Sequence, residues 1–267
     1  MTFSDKYGPW GVVLGASEGL GEAYARGLAA RGLDVVVAAR RADPVQHVAA
    51  DIASEFDVQT RAVVLDLAAP HFLDTLRDVT DALDVGVVVY NGAAGYIGAF
   101  LDADDDEVAA IVAVNCTGPL EVCRHFGGHL LERGRGGIVL MGSAAGLAGS
   151  AFNSAYAASK AFDIVLGESL WAEWRDRGVD VLSVIGPAID TPTFRRSLSS
   201  ESRANLPAPM DPAVAVEQVL AALGTDPSFV PGETGPLIAA LGALPRRRQV
   251  EAMSAAQVEL AKGRPGT

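Results

Sequence analysis

Trp10-Gly11-Val12-Val13-Leu14-Gly15-Ala16-Ser17-Glu18-Gly19-Leu20-Gly21 decides how the rest of the chain is read. A short apolar run leads straight into a glycine-rich turn, and a helical pattern opens at Glu22-Ala23-Tyr24-Ala25. An unbroken apolar run suits a strand buried on both faces of a parallel sheet. Glycines let the backbone come close to a ligand, and the helix N-terminus behind them favours negative charge. Strand, glycine turn and helix in this order are the context a dinucleotide fingerprint requires, here spaced Gly-x3-Gly-x-Gly rather than Gly-x-Gly-x2-Gly. The other reading of the same residues is a tight strand-to-helix turn with no ligand.

Moving outward, Leu33 to Arg41 reads as a second strand and its exit. In a dinucleotide fold an acidic residue there would bind a ribose 2′-hydroxyl, whereas arginine accommodates a 2′-phosphate. This exit carries Ala39, Arg40 and Arg41, with no carboxylate before Asp43. The expected cofactor is therefore NADP(H) rather than NAD(H). A helix is expected over Val45–Phe56, a strand over Arg61–Leu65, a helix over His71–Leu83 and a strand over Val85–Tyr90. Ligands in such folds lie beyond the carboxyl ends of the strands, which places Asp66 and Asn91 beside the cleft.

Further on, the acidic run Asp102 to Glu107 opens a helix, where carboxylates complement the macrodipole. Val108, Ile111, Val112 and Asn115 are expected on its inner face, and a buried Asn115 needs a hydrogen-bond partner. A fifth strand, Gly137–Met141, delivers Ser143 to a strand's carboxyl end. A long helix over about Asn153–Arg175 carries Tyr156 and Lys160 at i and i+4, so both side chains rise from one face. An ammonium beside a phenol favours the phenolate, which makes such a tyrosine useful as an acid or base. The sixth strand is Val179–Ile185. The polar segment from Gly186 to about Pro209 is long for a loop and is expected to include a short helix or a lid. A helix near Pro212–Leu223, a brief strand at Ser228–Val230 and helical runs on both sides of Pro245 complete the chain.

The alternation of strand and helix, with no linker or compositional break, predicts one α/β domain built on a doubly wound parallel sheet. The core is expected over about 8–232, a substrate lid over about 188–210 and a helical C-terminal extension over about 233–267. At 267 residues, with 49% hydrophobic and 20% charged, the composition is that of an ordinary globular protein. The net charge of −12 argues against nucleic acid as a partner. Arg246-Arg247-Arg248 is the one dense basic run, and is expected to cap a helix end or meet solvent.

Cys116 and Cys123 are too far apart on one helix to bridge, which fits a reduced compartment. The first ten residues lack the pattern of a secretory leader, and no apolar run is long enough to span a membrane. The expected location is the cytoplasm. His125 and His129 have the i, i+4 spacing of metal ligands, but no third ligand suggests itself in the sequence, so no metal is expected.

Gly15-x3-Gly19-x-Gly21, Asn91-Gly92-Ala93, Asn115, Ser143 and Tyr156-x3-Lys160 together resemble the short-chain dehydrogenase/reductase family, in order, over roughly residues 10–195. The resemblance implies a Rossmann-like fold and hydride transfer between a nicotinamide cofactor and a carbonyl/alcohol pair. It implies Tyr156 as general acid/base, with Lys160 favouring the phenolate and holding the nicotinamide ribose. Ser143 would orient the substrate oxygen, and Asn115 would support a water-linked proton path. The cofactor would lie along Gly15, Ser17, Glu18, Gly19, Leu20 and Gly21, with Arg40 and Arg41 near the 2′-phosphate and Asp66 and Leu67 near the adenine. Asn91, Gly92 and Ala93 would line it further on, with Pro187 and Thr191 near the carboxamide.

The sequence departs from the family pattern at Leu14, at Asn91-Gly92-Ala93-Ala94, at Gly186-Pro187 and after Pro231-Gly232, where the helical extension replaces a short final strand. A homodimer or homotetramer is the implied assembly. Phe152, Phe194, Leu198, Leu206 and Met210 suggest an apolar substrate. The contrasting possibility is a non-catalytic NADP-binding regulatory or scaffold protein, which would have no need of Ser143, Tyr156 and Lys160 together.

Overall fold

Val13 faces one side of the sheet while Val12 and Leu14 face the other, and all three are fully buried. That alternation forces a helical layer onto each face, because either apolar face left in water costs roughly 1.5–3 kcal/mol per large side chain. The computed structural model describes residues 2–197 and 208–261. Its strands are β1 (Trp10–Leu14), β2 (Asp34–Ala39), β3 (Thr60–Val64), β4 (Val85–Tyr90), β5 (Gly136–Met141), β6 (Val179–Val184) and β7 (Ser228–Phe229). They form one seven-stranded sheet in the order β3-β2-β1-β4-β5-β6-β7, with every pairing parallel. The chain reverses direction across the sheet between β1 and β4, and the cleft opens there.

The helices are α1 (Phe3–Tyr7), α2 (Gly19–Ala29), α3 (Ala42–Phe56), α4 (Phe72–Thr80), α5 (Asp105–Val112), α6 (Gly118–Arg133), α7 (Ser154–Trp174), α8 (Pro192–Ser197), α9 (Pro212–Ala222), α10 (Gly235–Gly242) and α11 (Arg246–Ala261). Tyr24, Leu28, Val45, Ile52, Val216 and Leu220 bring α2, α3 and α9 onto one face. Phe72, Leu76, Val122, Phe126, Leu130, Leu166 and Trp171 bring α4, α6 and α7 onto the other. The result is the single-domain, doubly wound sheet expected from the sequence. No described helix is long and apolar enough to cross a membrane.

Several elements differ from expectation. The polar N-terminus forms α1, started by a capping box between Thr2 and Asp5. It is tied to the core by the buried Tyr7, whose hydroxyl donates to Asp180 at 2.5 Å. α3 starts at Ala42, three residues before the expected Val45. Val112 does not join the inner face: it is 51% exposed, while Ile111 is buried. The helix continues as a π-helical turn over Ala113–Thr117, and there Asn115 is fully buried. Such turns insert a residue into a helix and often mark functional positions.

Cys116 and Cys123 are both free thiols. The arginine triplet sits in the first turn of α11. Arg246 donates to the Leu147 carbonyl at 2.8 Å, and Arg247 and Arg248 both pair with Glu251. The C-terminal extension is thereby fastened to the loop that follows Ser143.

Candidate active site

The turn after β1 is shaped by close approach. Gly15 has φ +80°, and a Cβ there would lie 2.7 Å from the Gly92 backbone. Only glycine accepts both conditions without strain. The turn is braced from β4, because Asn91 donates its side-chain amide to the Gly15 carbonyl at 3.0 Å. Glu18 stands at the N-cap of α2 but makes no capping bond, so the first-turn N–H groups remain available to an anion.

Glu18 has another use. Its carboxylate pairs with Arg41 at 2.9 Å and with Arg196 of α8, and it accepts from Thr193 at 3.2 Å. The Arg196 hydrogen bond, helped by Arg41, holds its pKa down to about 2. Arg41 also donates to the Ser17 hydroxyl at 3.0 Å. Arg40 is exposed beside them. The end of β2 and the segment after β6 are thus joined by charge across the mouth of the cleft.

At the end of β3, Asp66 accepts from the Ala68 N–H at 3.0 Å, and Leu67 fills the space where a side chain on Gly92 would sit. Asn115 is buried deeper. Its oxygen accepts from the Ala94 N–H and its amide donates to the Ala94 carbonyl, both at 2.8 Å, with a further bond to Ser159 at 2.9 Å. Its amide is therefore satisfied, and it pins the loop after β4 against α7.

On α7, the Lys160 ammonium lies 5.8 Å from the centre of the Tyr156 ring. It donates to the Met141 carbonyl at 2.7 Å and to Asp163 at 2.9 Å, in a pair whose side chains are each only 3% exposed. Burial raises the Asp163 pKa, against the lowering effect of Lys160. Ser143 leaves β5 in an extended conformation and accepts from the Ala145 N–H at 3.2 Å. The turn after it lies directly on α7: a Cβ on Gly146 would come within 2.5 Å of the Lys160 backbone. That contact seats the strand-end serine on the helix bearing the tyrosine and lysine.

One cleft of about 910 Å³ collects these groups. Gly15, Ser17, Glu18, Leu20, Arg40, Arg41, Asp66, Leu67, Asn91, Gly92 and Ala93 line it together with Ser143, Tyr156, Lys160, Pro187 and Thr191. Gly19, Gly21 and Asn115 do not line it. Gly19 packs against Thr191, a Cβ on Gly21 would strike the Gly15 carbonyl, and Asn115 lies behind the wall.

Phe152, Phe194 and Met210, expected to form the substrate pocket, do not line it either. Met210 is bound into the loop instead, donating to the Ala188 carbonyl and accepting from the Asp190 N–H. Met141, Val114 and Ile189 supply the apolar wall. Leu198 and Leu206 lie outside the described residues.

Sequence reasoning missed Asp163, Thr193 and Arg196. The signal for Asp163 was available: it is an acid three residues after Lys160 in an otherwise apolar stretch of helix. Nothing in the sequence pairs Arg196 with Glu18. The absence of a third ligand near His125 and His129 is also corrected, because the fold carries Asp81, at the C-terminal end of α4, to within 3.1 Å of His125. Burial lowers the His125 pKa, with Asp81 opposing the shift.

A family profile described as short chain dehydrogenase matches residues 10–202. The chain is 31% identical over 233 residues to a 7beta-hydroxysteroid dehydrogenase of Clostridium sardiniense, covering 87% of this chain and 89% of that protein. It is 33% identical over 221 residues to a very-long-chain 3-oxoacyl-CoA reductase of Aspergillus fumigatus, covering 81% and 62% respectively. A solved structure reported for 7beta-hydroxysteroid dehydrogenase stereoselectivity superposes with a TM-score of 0.89 at 27% identity, over 95% of this chain and 99% of that one. A short-chain dehydrogenase from Sphingobium yanoikuyae in complex with NADPH gives 0.77 at 27% identity, over 88% and 93%.

Proposed function

Because the chain belongs to the short chain dehydrogenase family, we propose that it transfers hydride between NADP(H) and a carbonyl/secondary-alcohol pair, with Tyr156 as general acid/base. The observation that carries this is the meeting of Tyr156, Lys160 and Ser143 with the glycine turn in one cleft.

The residues suit a dinucleotide. Gly15 leaves no room for a side chain beside Gly92, and the α2 N-terminus has no side-chain cap. Gly15, Ser17, Glu18 and Leu20 would face the pyrophosphate, with Gly19 and Gly21 shaping the turn and helix start behind them. Arg40 and Arg41 would hold the 2′-phosphate, Asp66 and Leu67 the adenine, Asn91, Gly92 and Ala93 the adjoining ribose, and Pro187 and Thr191 the carboxamide. When bound, the nicotinamide supplies or takes up the hydride. Tyr156 gives a proton to the substrate oxygen as that oxygen gains alkoxide character, and Ser143 donates a hydrogen bond to it. Lys160 keeps positive charge beside the phenol and binds the nicotinamide ribose. Asn115 holds the Ala94 backbone and Ser159 in place, supporting a water-linked route for the proton.

NADP(H) is favoured over NAD(H) by the two arginines at the end of β2, and by the NADPH complex of the Sphingobium yanoikuyae relative. The substrate class is a bulky apolar alcohol or ketone of the hydroxysteroid kind, a choice supported by the 7beta-hydroxysteroid dehydrogenases that align over most of their length. Copies of the chain would assemble along α6 and α7, where Leu120 and Val165 are exposed. Following NADPH oxidation at 340 nm with hydroxy- and ketosteroids, 3-oxoacyl thioesters and simple ketones tests the assignment. Steroid turnover is expected, and turnover of none of these would overturn it.

A further inference from the structure

His125 and His129 lie one helical turn apart on α6, with ring centres 4.9 Å apart and ring planes at 79°. His125 Nε2 is 3.1 Å from Asp81 Oδ1. One ligand atom from each of Asp81, His125 and His129 lies within 4.8 Å of the other two. Two ligands held at ~2.0–2.2 Å from one ion in a tetrahedron are themselves ~3.4 Å apart, so the Asp81–His125 pair, hydrogen-bonded at 3.1 Å, needs to open only slightly to share an ion. The third ligand atom belongs to His129, which is exposed, and its ring must turn to close on a shared ion. We infer that Asp81, His125 and His129 form a binding site for one divalent transition-metal ion of the zinc class.

The donor set supports this choice. Two imidazoles and one carboxylate suit zinc, cobalt or nickel, whereas magnesium and calcium prefer all-oxygen shells. Three protein ligands leave a fourth position for water. The framework is partly fixed beforehand. The Asp81 N–H donates to the Arg77 carbonyl at the end of α4, and the His125 side chain is only 10% exposed, edge-on to Phe126. Arg77 is the competitor, but it reaches the other carboxylate oxygen, at 3.4 Å, leaving Oδ1 to face His125. None of the three ligands lines the catalytic cleft. A bound ion would therefore clamp the end of α4 to the middle of α6, outside the catalytic machinery.

The test is a zinc titration of chelator-treated, full-length protein, followed by competition with a chromophoric chelator and by thermal melting. One equivalent should bind, and Tm should rise by about 5 °C at a hundredfold excess over Kd. His129→Ala, at an exposed position, should leave the metal-free Tm unchanged while weakening zinc binding at least tenfold and abolishing the shift. Asp81→Asn should do the same. His47→Ala and His71→Ala, at histidines on α3 and before α4, should bind zinc as the parent does. No binding at about a hundredfold excess of zinc over protein would overturn the inference. So would binding that survives His129→Ala, or binding lost in Cys116→Ala instead.

Discussion

The Lys160 ammonium donates to the Asp163 carboxylate at 2.9 Å inside α7, and the second oxygen of Asp163 has no hydrogen-bond partner among the described residues. The cation that the proposed mechanism places beside Tyr156 is therefore already half of a buried ion pair. Breaking such a pair by removing one partner leaves an uncompensated buried charge, at a cost of roughly 3–5 kcal/mol. Asp163→Ala should lose stability on that scale in urea unfolding. Lys160→Met combined with Asp163→Leu should lose markedly less than Asp163→Ala alone. Equal losses in the two variants would show that the pair is not what holds this part of α7.

Glu18 links Arg41 and Arg196 across the mouth of the cleft. Its pKa falls from 4.5 to about 2 on folding, so the pairing contributes stability that is complete above about pH 4.5 and is lost as pH falls toward 2. A partly exposed pair is worth ~0–1 kcal/mol, or at most about 2–4 °C in Tm. Glu18→Gln should melt that much lower than the parent from pH 8 to 5, with the gap closing at lower pH. A gap that widens on acidification would contradict the assignment.

The same carboxylate competes for the arginine assigned to the 2′-phosphate. Arg41→Ala should cut NADPH affinity about tenfold while leaving NADH affinity within about twofold, since only one of the two cofactors carries that phosphate. Glu18→Gln should raise the NADPH:NADH preference several-fold. Fluorescence titration with both cofactors measures each.

Gly15→Ala places a Cβ 2.7 Å from Gly92 at a φ of +80°. Strain of ~1–3 kcal/mol at the turn should appear as a lower Tm and as at least tenfold weaker NADPH binding. Unchanged binding would mean that the turn is not the pyrophosphate seat.

The parallel sheet was legible because Trp10–Leu14 and Val85–Tyr90 are unbroken apolar runs, which only a strand buried on both faces explains well. The lining of the cleft was legible where side chains sit at strand ends, as with Asn91 and Ser143, or in helical spacing, as with Tyr156 and Lys160. Partners brought together by the tertiary fold were not legible. Asp81 reaches His125 across two helices, and Arg196 reaches Glu18 across 178 residues of chain. The outward-facing Val112 was missed because sequence periodicity assumes a continuous α-helix, and a π-helical turn follows directly.

The central claim is that Tyr156 delivers the proton, and the most direct measurement is the rate of NADPH oxidation by Tyr156→Phe with a ketosteroid that the parent enzyme reduces. A fall of ~10²–10⁴-fold is expected, with the NADPH dissociation constant within about twofold of the parent's. Turnover at the parent's rate would contradict it.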